Sequence, residues 1–332
     1  MEASSHRRNV VLVSLLPLVA VLAFMLALST GSQGFDPASA LAAITGNSQD
    51  GLTTEIVRSL RLPRALAAFG CGALLALAGT LLQALLRNPL ADPFVLGISS
   101  GAGALSLVAM LAGAGAAMTA AAGFAGALLS TGLLFLLAWR GGLLPTRLLL
   151  AGVILSAAWG AAITLLLALA PDAPLRGMVF WLMGDLAQTE PARAWLLPGA
   201  ALVALAISWP LARPLDALSR GELSAAALGV AVDRVRVGAL ILAAAITALV
   251  VIAAGSIGFV GLVTPHLLRL AGLRRHRWLL PGCVFGGGSL LLLADVAART
   301  LVAPLQLPVG AVTALLGAPL FLWLLTRTAA SR

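Results

Sequence analysis

A chain of 332 residues that is 61% hydrophobic and only 10% charged, with a mean hydropathy of +1.05, is too apolar for a water-soluble domain, where about a quarter of residues carry charge. Its net charge of +9 comes from arginine alone, since there is no lysine; in so apolar a chain that charge belongs to loops on one side of a membrane, not to a nucleic-acid site. Long Leu/Ala/Val/Gly runs exclude a β-barrel, whose strands would alternate over short segments.

Crossing about 30 Å of hydrocarbon at about 1.5 Å per residue takes roughly 20 helical residues. Ten such segments can be placed, over residues 10–30, 62–86, 93–112, 116–138, 147–169, 194–211, 235–255, 257–271, 279–297 and 308–326. The fold class expected is therefore an all-α integral membrane protein, one polytopic domain over residues 1–332. The N-terminal MEASSHRRN followed by an apolar run resembles a signal peptide, but Val10 to Leu28 is long enough to span and lacks a cleavage site, so it is kept as the first helix.

The stretch from Arg61 to Gly103 is the most structured in the sequence. An RLPR start places Pro63 in a first helical turn, an RNPLADP turn from Arg87 to Pro93 interrupts the apolar run, and a Gly/Ser-rich restart follows. Residues 171–191 mix Trp181, Met183 and Gly184 with charges and read as a short helix at the membrane surface. Residues 213–236, RPLDALSRGELSAAALGVAVDRVR, read as two short helices. Ser219 to Glu222 would supply a helix start, Ser224 a second cap, and Gly229 a stop. AGTLLQALLRNP from Ala78 to Pro89 aligns without gaps on AGSIGFVGLVTP from Ala254 to Pro265 and suggests two related halves.

With the N-terminus inside, 15 of the 21 arginines fall on the cytoplasmic side, from Arg7 and Arg8 through Arg140 and the Arg213–Arg236 and Arg269–Arg277 stretches to Arg327 and Arg332. Arg58, Arg61, Arg64, Arg176, Arg193 and Arg299 fall outside, with Asp36, Asp50, Glu55, Asp172, Asp185 and Glu190. That asymmetry places both termini in the cytoplasm.

Catalytic constellations are absent. The three histidines, His6, His266 and His276, lack metal-ligand spacing, no nucleophile elbow occurs, and a phosphate-binding loop ending in Lys cannot exist without lysine. No cofactor or metal is expected on this chain, and ATP and magnesium would have to bind another subunit. Cys71 and Cys283 lie inside apolar runs and read as buried small hydrophobes. Asp295 stands four residues before Arg299, where an i,i+4 pair accounts for it. Arg61 and Arg64 have no nearby acid apart from Glu55, and external arginines suit an acidic partner because guanidinium pairs bidentately with carboxylate. A secondary transporter without ATP would need intramembrane charges for ion coupling, and Asp295 alone qualifies; a membrane enzyme would need clustered His, Asp and Glu, which are missing.

RLPR, GTLLQALLRNPLADPFVLGISSGAG, GELSAAALG, GSIGFVGLVTPHLLRLAG, HRWLLPG, LLLADVAAR and LPVGAVTALLGAPLFLWLL, in this order from about residue 58 to the C-terminus, resemble the FecCD-type permease family. These are membrane subunits of binding-protein-dependent type II ABC importers for iron-siderophores, haem and vitamin B12. The resemblance implies ten helices per subunit in the bacterial inner membrane and a homodimer of this chain with a second copy. Two cytoplasmic ATPase subunits would dock on coupling helices at about 213–229, with Arg220, Gly221, Glu222, Leu228 and Gly229 at the contact. A periplasmic binding protein would dock on Arg61, Arg64 and Arg299. Cytoplasmic gates map onto Asn88 and Leu90 and onto Pro145 and Thr146; the family often has small hydroxyl residues where Pro145 stands. The translocation path is expected along the fifth helix, about Arg147 to Leu169, with Ser156, Trp159 and Thr164 as its polar groups. The substrate expected is an iron complex, haem or a ferric siderophore, with cobalamin (vitamin B12) as the alternative.

Overall fold

A backbone surrounded by lipid must satisfy its hydrogen bonds within the segment, so apolar runs of this length become helices. In the computed structural model, which describes residues 2–31, 34–46, 51–139, 143–187, 189 and 191–329, a helix stands at each of the ten expected positions. They are α1 (Glu2–Ser29), α2 (Leu62–Leu85), α3 (Ile98–Leu111), α4 (Ala116–Trp139), α5 (Pro145–Leu169), α6 (Leu196–Ser208), α7 (Val232–Ala254), α8 (Val260–Leu270), α9 (His276–Thr300) and α10 (Val309–Ala329). Of the charge pattern, Asp50, Arg140, Glu190 and Arg332 lie outside the described residues, as do the side chains of Arg193 and Arg327.

Seven described helical runs are long and apolar enough to cross a membrane, counting α2 with the turns before it (Gly51–Leu85) and α6 with its continuation to Leu218. The helices α3 and α8 are shorter, at 14 and 11 residues. Both start later than the sequence pattern suggests, at Ile98 instead of 93 and at Val260 instead of 257. In each case the preceding residues are irregular, and the last has positive φ: Gly97 at 76° and Phe259 at 68°. Prolines at 89 and 93 deny the first segment its helical amides, and Gly255, at φ 69°, ends α7 before the second. The same glycine distinguishes the two echoing stretches. Ala78–Leu85 is the last part of α2, whereas 255–259 is not helical, so the alignment does not mark a structural repeat.

At the centre is α2, buried at nearly every position from Ala65 to Leu85 and packed by α6, α7, α8 and α9. Glycines let these backbones touch: a Cβ on Gly72 would lie 2.2 Å from the Gly287 carbonyl oxygen, and one on Gly79 would lie 1.9 Å from that of Gly261. Cys71 and Cys283 are free and buried, as expected, with Cys283 Sγ 3.1 Å from Thr80 Oγ1.

Shorter elements cap the bundle. Before α2, a hairpin pairs Thr30–Gly31 with Gly34–Phe35, and a helix over Pro37–Thr45 is capped by Asp36, whose Oδ1 accepts the Ser39 N–H at 3.0 Å. Within the segment expected at 171–191 a short helix stands at Asp172–Leu182. At the opposite end two short helices, Ala212–Leu218 and Glu222–Ala227, form the projecting pair. Neither expected serine caps the second: Ser219 Oγ donates back to the Leu215 carbonyl at 2.8 Å, Ser224 sits inside the helix, and Gly221, at φ 124°, stands at its start. Gly229, at φ 79°, ends it as expected.

Candidate transport and coupling sites

Three arginines expected to greet an external partner converge on one end of the bundle, but they are held from within. Arg64 Nε and Nη2 both lie 2.9 Å from Asp295 Oδ1, and Arg64 Nη1 donates to Gln306 Oε1 at 2.8 Å. Arg299 Nε lies 3.1 Å from Asp295 Oδ2, and its Nη1 and Nη2 donate to the carbonyls of Thr30 and Ala27 at 3.2 Å. Arg61 Nη1 donates to the Leu28 carbonyl at 2.9 Å. Asp295 is fully buried, so two cations and one carboxylate join the ends of α1, α2 and α9. This corrects the reading of Arg64 as lacking an acid. Its partner lies 231 residues away and carries no local sequence signal. The i,i+4 pair of Asp295 with Arg299 is present as expected.

The irregular segments before α3 and α8 meet around a cavity of about 470 Å³. Asp92 and Phe94 line it from one segment, Ser256 and Phe259 from the other, with Met183 and Gly310 closing it. Asp92 is buried; its Oδ1 accepts the Phe94 N–H at 3.0 Å, and among the described residues no cation pairs with it. Burial pushes its carboxyl up to about 6, against the opposing effect of the Phe94 N–H. Sequence reasoning passed over this residue, although an acid in RNPLADP flanked by apolar spans was a visible signal.

Helix α5 is fixed to the first irregular segment. Ser156 Oγ donates to the Phe94 carbonyl at 2.9 Å, Trp159 Nε1 donates to Ser130 Oγ at 3.1 Å, and Ser130 Oγ donates to the Gly97 carbonyl at 2.7 Å. Ser156 and Trp159, expected along a translocation path, are thus half-buried and spend their polar atoms inside the chain. Thr164 is exposed, its hydroxyl returned to the Gly160 carbonyl at 2.9 Å. Beyond Arg147, which is exposed in its first turn, α5 presents outward Leu150, Val153, Ile154, Leu165 and Leu169, a stretch without charge.

Of the expected gates, Asn88 holds the RNPLADP turn: its Oδ1 accepts the Leu90 N–H at 2.9 Å, after Arg87 takes a positive φ of 48°. Leu90 is exposed. Pro145 opens α5 at its first turn, where its missing N–H costs nothing, and Thr146 follows it exposed.

At the projecting end, Glu222 pairs with Arg236 of α7, whose side chain is buried, and Asp216 Oδ1 accepts the His276 N–H at 2.9 Å while lying 2.6 Å from His276 Nδ1. Both short helices are therefore tied by charge to membrane helices α7 and α9. Arg220 is exposed, and Leu223 and Leu228 project at 89% and 69% exposure.

Ten helices, two of them broken around a cavity, and an apolar short-helix pair exposed at one end define a polytopic transport permease. Residues 18–327 match the FecCD transport family, and the chain belongs to it, as the membrane permease of an ABC importer. It is 42% identical over 326 residues to the vitamin B12 import system permease protein BtuC of Citrobacter koseri, covering 97% of this chain and 96% of that one. It is 42% identical over 327 residues to the corresponding permease of Salmonella typhi, covering 98% and 97%. Among solved structures, an inward-facing ABC transporter described as of metal-chelate type matches with a TM-score of 0.84 and 31% identity, over 95% of this chain and 98% of that one. A PsaBC complex from Streptococcus pneumoniae, at TM-score 0.54 and 17% identity over 85% of this chain, shares the fold alone.

Proposed function

We propose that this chain is the permease through which cobalamin crosses a bacterial inner membrane. The observation that carries the substrate is the 42% identity, over nearly the whole chain, to vitamin B12 permeases. It favours cobalamin over the iron complex that the family resemblance had put first. Metal chelates remain the second reading because of the 31% identical metal-chelate type transporter, and cobalamin is itself a cobalt chelate.

In this reading two copies of the chain enclose the path, and the apolar face of α5 beyond Arg147 lines it, letting a bulky, largely neutral complex pass without a tight resting place. Two ATPase subunits on the cytoplasmic side bind ATP and magnesium and grip the exposed Leu223 and Leu228, with Arg220, Gly221 and Gly229 shaping the contact. Their movement is passed through Glu222–Arg236 and Asp216–His276 to α7 and α9. The turns around Asn88 and Leu90 and around Pro145 and Thr146 form the cytoplasmic gates. A periplasmic binding protein meets the Arg61, Arg64 and Arg299 cluster, where three guanidinium groups stand around the single carboxylate of Asp295.

ATP hydrolysis by the reconstituted complex tests this reading. Cobalamin-loaded binding protein should stimulate it more than haem- or siderophore-loaded proteins do, and Arg61→Glu should remove the stimulation while basal hydrolysis persists. Arg61 is the better probe than Arg64, because a Glu at 64 would face the buried Asp295. Stimulation that survives Arg61→Glu would place the docking surface elsewhere.

A further inference from the structure

The start of α1 and the start of α9 form a basic and aromatic cluster that neither transport nor coupling uses. The His6 ring meets the Trp278 ring edge-on at 5.5 Å between centroids, and the Arg277 guanidinium lies 5.1 Å from the centre of the same indole. Arg8 reaches across the connection between α8 and α9, so close that a Cβ on Gly272 would lie 2.6 Å from its Nη2. Arg7, Arg8, Arg274 and Arg277 are exposed, and Trp278 is half-buried. The acid that reaches α9 here, Asp216, is committed to His276.

Two features identify what this cluster faces. It sits at the ends of two membrane spans, and an indole at a span end belongs at headgroup level. From Arg7 and Arg8, the exposed face of α1 continues downward as Val11, Leu15, Leu18 and Leu22, all about half exposed or more, with Val19 and Val21 beside them. A guanidinium cluster above an exposed apolar helix face has the charge and the length of a phospholipid with a negative headgroup.

We propose that this cluster binds the phosphodiester headgroup of an anionic phospholipid, with Arg8 and Arg277 as the principal donors, Trp278 at the glycerol level and the acyl chains along the exposed α1 face. Bound there, the lipid joins α1 to the α8–α9 connection beside the helix that His276 and Asp216 tie to the coupling pair.

Native mass spectrometry of the full-length permease, purified in mild detergent with defined lipids, tests the site. Wild type should retain phosphatidylglycerol in preference to phosphatidylcholine. Each arginine near a charged lipid surface contributes about fivefold, so Arg8→Ala with Arg277→Ala should weaken retention roughly 25-fold. Arg8→Lys with Arg277→Lys, which keeps the charge and guards against a folding defect, should keep most of the preference. Excess inorganic phosphate should not displace the lipid. Equal retention of both lipids by wild type, undiminished retention by the folded alanine pair, or displacement by phosphate alone would each overturn the proposal, the last in favour of a free-anion site.

Discussion

A carboxylate with no access to water is tolerated only where cations and donors surround it, and Asp295 meets that condition through Arg64 and Arg299. Removing Arg64 takes its guanidinium hydrogen bonds from Asp295 and leaves Arg299 as the cation on that carboxylate. Arg64→Ala should therefore destabilise the permease by about 2 kcal/mol, read as a lowered Tm in detergent, and adding Arg299→Ala in the same chain, which leaves the buried carboxylate without either cation, should cost more than Arg64→Ala alone. Asp92 behaves in the opposite way, because among the described residues no cation pairs with it. Its carboxyl lies at about 6 in the folded chain against an ordinary 3.8, so the folded state holds the proton more tightly than the unfolded state. The cost is absent at pH below about 4, grows as pH rises, and is complete above about 6, where it reaches about 3 kcal/mol. Asp92→Asn, which preserves the acceptor for the Phe94 N–H, should raise Tm at pH 8 and leave it unchanged at pH 4; a pH-independent difference would contradict this. Neither environment could be read from sequence. The i,i+4 spacing of Asp295 and Arg299 was legible because it lies within one helix, while Arg64 reaches the same carboxylate across 231 residues of chain.

Helices were legible because apolar run length alone decides which segments can span. Their breaks were not, because Gly97, Gly255 and Phe259 take positive φ in response to neighbours distant in sequence. Glycine at 79 is such a response: only a residue without Cβ lets α2 approach the Gly261 carbonyl. Gly79→Leu should push α8 from α2 and cost several kcal/mol, seen as loss of the monodisperse purified permease, whereas Gly132→Leu, which meets nothing within 4 Å, should be tolerated. The short Glu222–Ala227 helix shows the same division. Its stop at Gly229 was written in the sequence, but its start is set by Gly221, and its orientation by Arg236 and by the Asp216–His276 contact. If Leu223 and Leu228 are the coupling surface, Leu223→Glu with Leu228→Glu should abolish co-purification of the ATPase while the permease itself stays folded; an intact complex would remove these residues from the interface.

Across the described residues, the bundle offers on α5, beyond Arg147 in its first turn, a wall without charge, and its ion pairs stand at the two ends. That arrangement suits passage driven by partners at those ends rather than by ions bound along the way. The substrate was the least legible feature, because the residues facing outward on α5 beyond Arg147 are mostly simple hydrocarbons that distinguish one bulky chelate poorly from another. ATP-dependent uptake into proteoliposomes holding this chain with its ATPase and binding protein tests the account most directly, with cobalamin, haem and a ferric siderophore offered side by side. Accumulation of cobalamin alone, lost without ATP or without the binding protein, is the predicted result; uptake of haem or siderophore in its place, or uptake that persists without ATP, would contradict it.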